Sequence, residues 1–206
     1  LFLRAFVVEA FKIPSGSMKP TLLVGDHLFV NKFIYGIRVP FTQNYLVRFE
    51  EPERGEVVVF TFPRSEAKKH LSLQPASKRS CITRSSLGKD KDMIKRIIGV
   101  PGDTIEVRKN DVIVNGVRLE RTFLRKETTG KFLSPYETVE RERNDEKSYT
   151  VRFLGKSNDF GPIKVKPRHV FVMGDNRDDS SDSRCWGQVP IDYIKGRAMV
   201  IWWSKS

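Results

Sequence analysis

Two stretches of the chain carry residues that could do covalent chemistry. One is Ile13-Pro14-Ser15-Gly16-Ser17-Met18-Lys19-Pro20-Thr21-Leu22, and the other is Met93-Ile94-Lys95-Arg96-Ile97-Ile98. Two serines around a glycine, with a proline on each side, leave little room for helix or regular strand, so an extended arm ending in an exposed turn is expected. Such a turn offers the Ser17 hydroxyl as a nucleophile, although Ser-Gly-Ser is also ordinary loop composition and the assignment needs a base to support it. No Gly-x-Ser-x-Gly elbow surrounds Ser17, and His27, His70 and His169 stand in no distinguishing context. A lysine can serve instead when burial strips its ammonium of water and draws its pKa toward neutrality. Lys95, set among Met93, Ile94, Ile97 and Ile98, has the neighbourhood to do this. The competing reading is a strand lysine whose head snorkels to solvent.

A third polar block, Gly174-Asp175-Asn176-Arg177-Asp178-Asp179-Ser180-Ser181-Asp182-Ser183-Arg184, is dense in carboxylates. In no register do they supply the ligand order of a calcium loop, so no metal or other cofactor is expected. Pairing of Asp178 and Asp182 with Arg177 and Arg184 would instead stiffen a loop that carries Ser180 and Ser181. Ser65 to Lys68 and Ser86 to Lys89 match Ser-x-x-Lys, but Ser-Asp-Asn and Lys-Thr-Gly are missing, which removes the β-lactamase reading. Cys81 and Cys185 lie in no Cys-x-x-Cys or Cys/His cluster, so neither a zinc site nor a disulfide framework is indicated.

The elements that must position these groups read as β. His27–Val30 and Val57–Phe62 are runs rich in β-branched and aromatic residues. Met93–Val100 ends in a Pro-Gly-Asp turn, and 104–107, 112–114 and 117–119 are strand-like runs parted by Asn110-Asp111 and Asn115-Gly116, a hairpin signature. Tyr149–Leu154 and the run from Val170 into the polar loop complete the pattern. Residues 64–92 are rich in Ser, Lys and Arg without sustained period and are expected to form a mobile polar insertion. The greasy segment Phe33–Phe41, broken by Gly and Pro, suits an exposed apolar loop. The apolar residues Leu1–Val8 are too few to cross a bilayer, which takes about 20.

Taken in order, the Ile13–Leu22 stretch, Arg54–Phe60, Lys95–Asp103 and Gly174–Arg184 closely resemble the sequence boxes of bacterial type I signal peptidase (leader peptidase). The resemblance implies a mainly β fold of the signal-peptidase type, with a catalytic domain (9–106 and 171–206) and an inserted, smaller β-rich lobe (107–170). It implies that residues 1–8 are the end of a membrane anchor otherwise largely absent from this sequence. Ser17 would be the nucleophile and Lys95 the general base, with Ser180 orienting the lysine. The Ser15 hydroxyl and the Ser17 amide would form the oxyanion hole. Arg96 and the Asp182–Arg184 ion pair would give structural support, and Phe11, Ile13, Met18, Leu22, Leu28, Val59, Met93 and Ile94 would line the substrate pocket, with core packing as their competing role. The implied reaction is removal of signal peptides from secretory preproteins after small residues of Ala-x-Ala type. The implied place is the bacterial cytoplasmic membrane, with the catalytic domain on the periplasmic or extracytoplasmic side and Phe33–Phe41, Trp202 and Trp203 resting on the phospholipid bilayer. The 64–92 insertion is longer than expected between two boxes, and Cys185 stands where an aromatic is common.

The formal charge of +12 favours anionic partners, and with this resemblance that means acidic lipid rather than nucleic acid. Three rival readings remain. A mitochondrial-type inner-membrane peptidase would share the chemistry; a self-cleaving Ser-Lys repressor would need a DNA-binding helix-turn-helix, and residues 1–12 provide none. A basic, non-enzymatic β module would bind nucleic acid with strong salt dependence.

Overall fold

The computed structural model describes residues 8–38, 45–72, 91–131, 134–157 and 159–204. The first half of the chain forms β1 (Val8–Lys12), β2 (His27–Asn31), β3 (Gly36–Arg38), β4 (Tyr45–Arg48), β5 (Val57–Thr61), helix α1 (Arg64–Ser72) and β6 (Asp92–Gly99). There follow β7 (Thr104–Arg108), β8 (Asp111–Val114), β9 (Val117–Arg118), β10 (Glu120–Lys131), β11 (Ser134–Asn144), β12 (Lys147–Phe153) and β13 (Phe160–Lys164). The chain closes with β14 (His169–Met173), the single turn α2 (Ser183–Trp186), β15 (Val189–Pro190) and β16 (Ile194–Trp203). The fold is mainly β, as the alternating apolar runs require.

A seven-stranded sheet in the order β1-β2-β16-β5-β6-β14-β15 carries Lys95 on β6. In it β6 lies between β5 and β14, with Lys95 opposite Val58 and Arg96 opposite Met173. A strand flanked on both sides and packed on both faces can be apolar without interruption, and from Ile94 to Gly99 every residue of β6 is buried. One core, including Val58, Phe60, Ile97 and Trp186, lies on one side of the sheet. A second joins Ile98 and Phe171 of the sheet to Val107, Val112 and Val151, so the region following β6 shares its core with the catalytic sheet. That region holds the four-stranded sheet β13-β7-β8-β9 and the three-stranded sheet β10-β11-β12. Asn115 and Gly116 both take positive φ in the β8–β9 turn that the Asn-Gly pair announces.

Three expectations need correction. The polar insertion begins with α1, whose Ala67 is buried in the core with Phe62 and Trp186. Tertiary burial of one small residue, and not a periodic apolar face of its own, holds this turn-rich segment helical. Residues 73–90 lie outside the described residues. Within Phe33–Phe41, Tyr35 is buried and its hydroxyl donates to Glu56 Oε2 at 2.7 Å, so this stretch is not a free loop. The exposed apolar side chains nearby are Ile37, Leu46, Val47 and Phe49, and residues 39–41 lie outside the described residues. Cys185 is disulfide-bonded, and the chain's only other cysteine, Cys81, lies outside the described residues. Residues 1–7 also lie outside them, and among the described residues no helix is long and apolar enough to cross a membrane.

Candidate active site

The arm after β1 is tied down by backbone bonds from Ile13 N to Asp26 O (2.8 Å) and from Gly25 N to Ile13 O (2.9 Å). It ends in one turn of 3-10 helix, Gly16–Met18, entered from an extended Ser15. Met18 is wholly buried with Ile13, Leu22, Leu28, Val30 and Val59. Burying one residue of a three-residue turn fixes the direction of its neighbours, and Ser17, 9% exposed, is left at the lip of a cavity.

Lys95 meets it there. Its Nζ lies 2.7 Å from Ser17 Oγ and 2.9 Å from the carbonyl oxygen of Ile94, and the residue is 2% exposed. Burial pulls the ammonium down from 10.5 to about 8, against the carboxylates of Asp182 and Asp175, which favour the charged form. The snorkelling reading is thereby excluded, because Nζ turns inward to a hydroxyl. Ser15 Oγ stands 3.4 Å from Ser17 Oγ. Ser180 Oγ is buried and makes no bond of good geometry, its one hydrogen-bonding influence being on the Asp182 carboxylate, so no bond from it to the lysine is seen. It packs against Gly174, where a Cβ would come 2.3 Å from Ser180 Oγ and 2.4 Å from Ser17 O. Glycine is needed at 174 for that close approach.

Arg96 donates to both oxygens of Asp175, at 2.8 and 2.6 Å, and to Gly55 O at 2.7 Å. Asp175 also accepts from the hydroxyl of Thr21, four residues after Ser17, which links the turn of Ser17 to the strand of Lys95. Asp182 caps α2, accepts from Gly174 N at 3.0 Å and pairs with Arg184 at 2.8 Å. Burial would raise the Asp182 carboxyl, but the Arg184 guanidinium outweighs it and holds the group below the ordinary carboxylate value. Arg177 meets that pair through its carbonyl oxygen, which accepts from Arg184 Nη2 at 2.7 Å, while its side chain turns to Glu142; Asp178 accepts from the amides of Leu154 and Lys156.

The cavity beside the serine is walled by Phe11, Ile13 and Pro14 on one side and Val59, Met93 and Ile94 on the other, with Lys12, Lys91 and Asp92 at its rim. Of the eight expected pocket residues, Met18, Leu22 and Leu28 lie instead in the packed core beneath. A second, more polar cavity runs from Ser15, Ser17 and Lys95 to Phe62, Lys91, Asp179 and Ser181. Among the described residues no group of three or more His, Cys, Asp or Glu side chains could hold a metal ion. Sequence reasoning missed Thr21, Asp175 and Asn176 as supports. The signal for Asp175 and Asn176 was the run of buried-type polar residues after β14, which only partners can satisfy; Thr21 carried no such signal.

A hydroxyl held against a dehydrated amine, beside an apolar cleft, is equipped for nucleophilic attack on a carbonyl. The family model described as "Signal peptidase, peptidase S26" matches residues 1–203. The chain belongs to the S26 signal peptidase family. It is 36% identical to a signal peptidase I of Pseudomonas fluorescens over 99% of this chain and 68% of that one. It is 33% identical to a signal peptidase I of Aquifex aeolicus, over 99% of this chain and 79% of the relative. A solved signal peptidase I from Enterococcus faecalis aligns with 73% of the chain and 99% of its own length at 22% identity and a TM-score of 0.39. As a signal peptidase, the molecule is a serine peptidase with a mainly β fold.

Proposed function

We propose that this signal peptidase removes amino-terminal signal peptides from secretory preproteins with Ser17 as nucleophile and neutral Lys95 as general base. The observation that carries the reading is the 2.7 Å approach of Lys95 Nζ, 2% exposed, to Ser17 Oγ. Neutral Nζ takes the hydroxyl proton as Oγ attacks the scissile carbonyl, and the resulting ammonium returns that proton to the leaving amine nitrogen as the peptide bond breaks. Water, deprotonated by the same lysine, then attacks the ester and restores Ser17. The Ser17 amide and the Ser15 hydroxyl face the developing oxyanion, each donor worth about 3 kcal/mol of barrier. The confined apolar cleft of Ile13, Val59 and Ile94 favours small residues of Ala-x-Ala type before the cut. Ser180, whose hydroxyl lies beside Gly174 at the turn of Ser17, is the residue that would orient the lysine.

The catalytic part then works at the extracytoplasmic face of the bacterial cytoplasmic membrane, a reading supported by membership of the signal peptidase family. Phe29 of β2 and Met199 and Trp203 of β16, exposed on adjacent strands, supply an apolar surface for the bilayer, and Leu46, Val47 and Phe49 are exposed as well. The test is cleavage of a model precursor in detergent by wild type, Ser17→Ala and Lys95→Ala. Both variants are expected to lose at least about a thousandfold in kcat. Near wild-type turnover in either variant overturns the mechanism, whereas no cleavage by wild type favours the non-enzymatic reading.

A further inference from the structure

Several polar residues unused by this chemistry sit on the inner face of the sheet β10-β11-β12. Glu142 and Asn144 of β11 and Tyr149 of β12 are all buried, Glu142 completely. A carboxylate withdrawn from water inside a sheet is costly unless it is paired and fully hydrogen-bonded. Glu142 meets both conditions. Its Oε2 accepts from Arg177 Nη1 at 2.8 Å, its Oε1 accepts from Arg177 Nη2, and the Tyr149 hydroxyl donates to Oε1 at 2.9 Å. The partner guanidinium, 2% exposed, belongs to the catalytic loop.

The residue before Arg177 holds the nucleophile turn. Asn176 donates its backbone N–H to Ser17 O at 3.1 Å and its side-chain amide to Gly16 O at 3.0 Å. The loop is also laid along β12, with Arg152 N donating to Asp175 O and Arg177 N donating to Arg152 O, both at 2.9 Å. The same inner face grips the base strand. Asn144 donates to Ile98 O at 3.1 Å, and the Arg96 guanidinium lies 4.0 Å from the Tyr149 ring centroid. One rigid face therefore touches both segments whose relative placement sets the Ser17–Lys95 contact. Glu142 lines neither cavity at the site, so its effect on substrate can only be indirect.

We infer that Glu142 is a positioning residue for the peptidase reaction: by clamping Arg177 it holds Asn176 against the Gly16–Ser17 carbonyls and so keeps Ser17 Oγ in reach of Lys95 Nζ. This rests on the Ser17–Lys95 mechanism proposed above.

The experiment uses the whole chain in detergent with a model precursor. Wild type, Glu142→Gln, Glu142→Asp, Tyr149→Phe and Ser17→Ala are compared by kcat, KM and thermal midpoint, with activity read well below each midpoint. Glu142→Gln is expected to lower kcat about thirtyfold with KM within about twofold, because ground-state binding in the cleft is untouched. Glu142→Asp, which keeps the charge but retracts the carboxylate by one methylene, recovers part of the loss and stays about fivefold below wild type. A merely structural role would lower the midpoint and leave kcat of the folded fraction unchanged. That outcome, or a rise in KM at constant kcat, overturns the inference. Should Glu142→Gln fail to fold, Tyr149→Phe decides, since it spares the ion pair and the ring contact with Arg96; kcat about threefold lower is expected, and an unchanged value overturns the inference. Activity surviving in Ser17→Ala would sink the mechanism itself, whereas an inactive Ser17→Ala beside fully active Glu142 variants would sink only the positioning role.

Discussion

Raising the pH from 7 to 9 should raise kcat/KM on a fixed precursor about tenfold and then level off, because the base must be neutral to take the Ser17 proton. With the Lys95 ammonium drawn down to about 8, about a tenth of the enzyme carries a neutral amine at pH 7 and about nine tenths at pH 9. An unshifted lysine would instead give about a hundredfold rise over the same interval and no plateau below about pH 10. The same displacement has a stability consequence of definite sign. Since the native state holds the charged form less readily than the unfolded chain, the unfolded chain binds more protons between about pH 8 and 10.5 and stability rises with pH across that window. Below pH 8 the full penalty, about 3 kcal/mol, is present; above 10.5 it vanishes. Lys95→Met removes the penalty together with two hydrogen bonds worth about 1 kcal/mol each, so at pH 7 it should melt slightly higher than wild type. That advantage should shrink and reverse as the pH is raised toward 10. Cleavage rates of a fluorogenic precursor from pH 6 to 10, with melting curves of both proteins over the same range, check both halves. A flat rate profile, or a Lys95→Met variant whose stability difference from wild type does not change with pH, refutes the dehydrated-amine argument.

Two further outcomes follow from the supports around the dyad. Gly174→Ala should lower kcat about a hundredfold with its circular dichroism unchanged, because the added methyl would stand 2.4 Å from Ser17 O and must displace the nucleophile turn or Ser180. Asp182→Asn should cost about 3 kcal/mol in thermal unfolding, since it leaves the Arg184 guanidinium and Gly174 N facing a neutral amide in a fully buried place.

Much of the architecture was legible because it is written in local chemistry. The Asn-Gly and Pro-Gly-Asp turns mark where strands end, and continuous apolar runs such as Val57–Phe60 announce a strand covered on both faces. Elements held by distant partners were not legible. Helix α1 depends on Ala67 meeting Trp186 in one core, and the Cys185 disulfide has no spacing signal because Cys185 lies in no Cys-x-x-Cys cluster. The division of the eight pocket residues between the cleft lining and the core beneath was equally hidden. Alternation along a strand tells inside from outside, but not which inward side chains border an opening.

By itself the sequence determined which groups could react: a serine on a turn that prolines keep out of regular structure, and a lysine embedded among branched apolar residues. The tertiary structure alone decided that they lie together. The 2.7 Å contact, the inward turn of the ammonium and its lowered pKa arise from long-range packing. So do the clamps from Asp175, Asn176 and Glu142. An amine's pKa is set by the water it loses and the charges it faces, and both depend on residues brought close only when β5, β6, β14 and the lobe assemble.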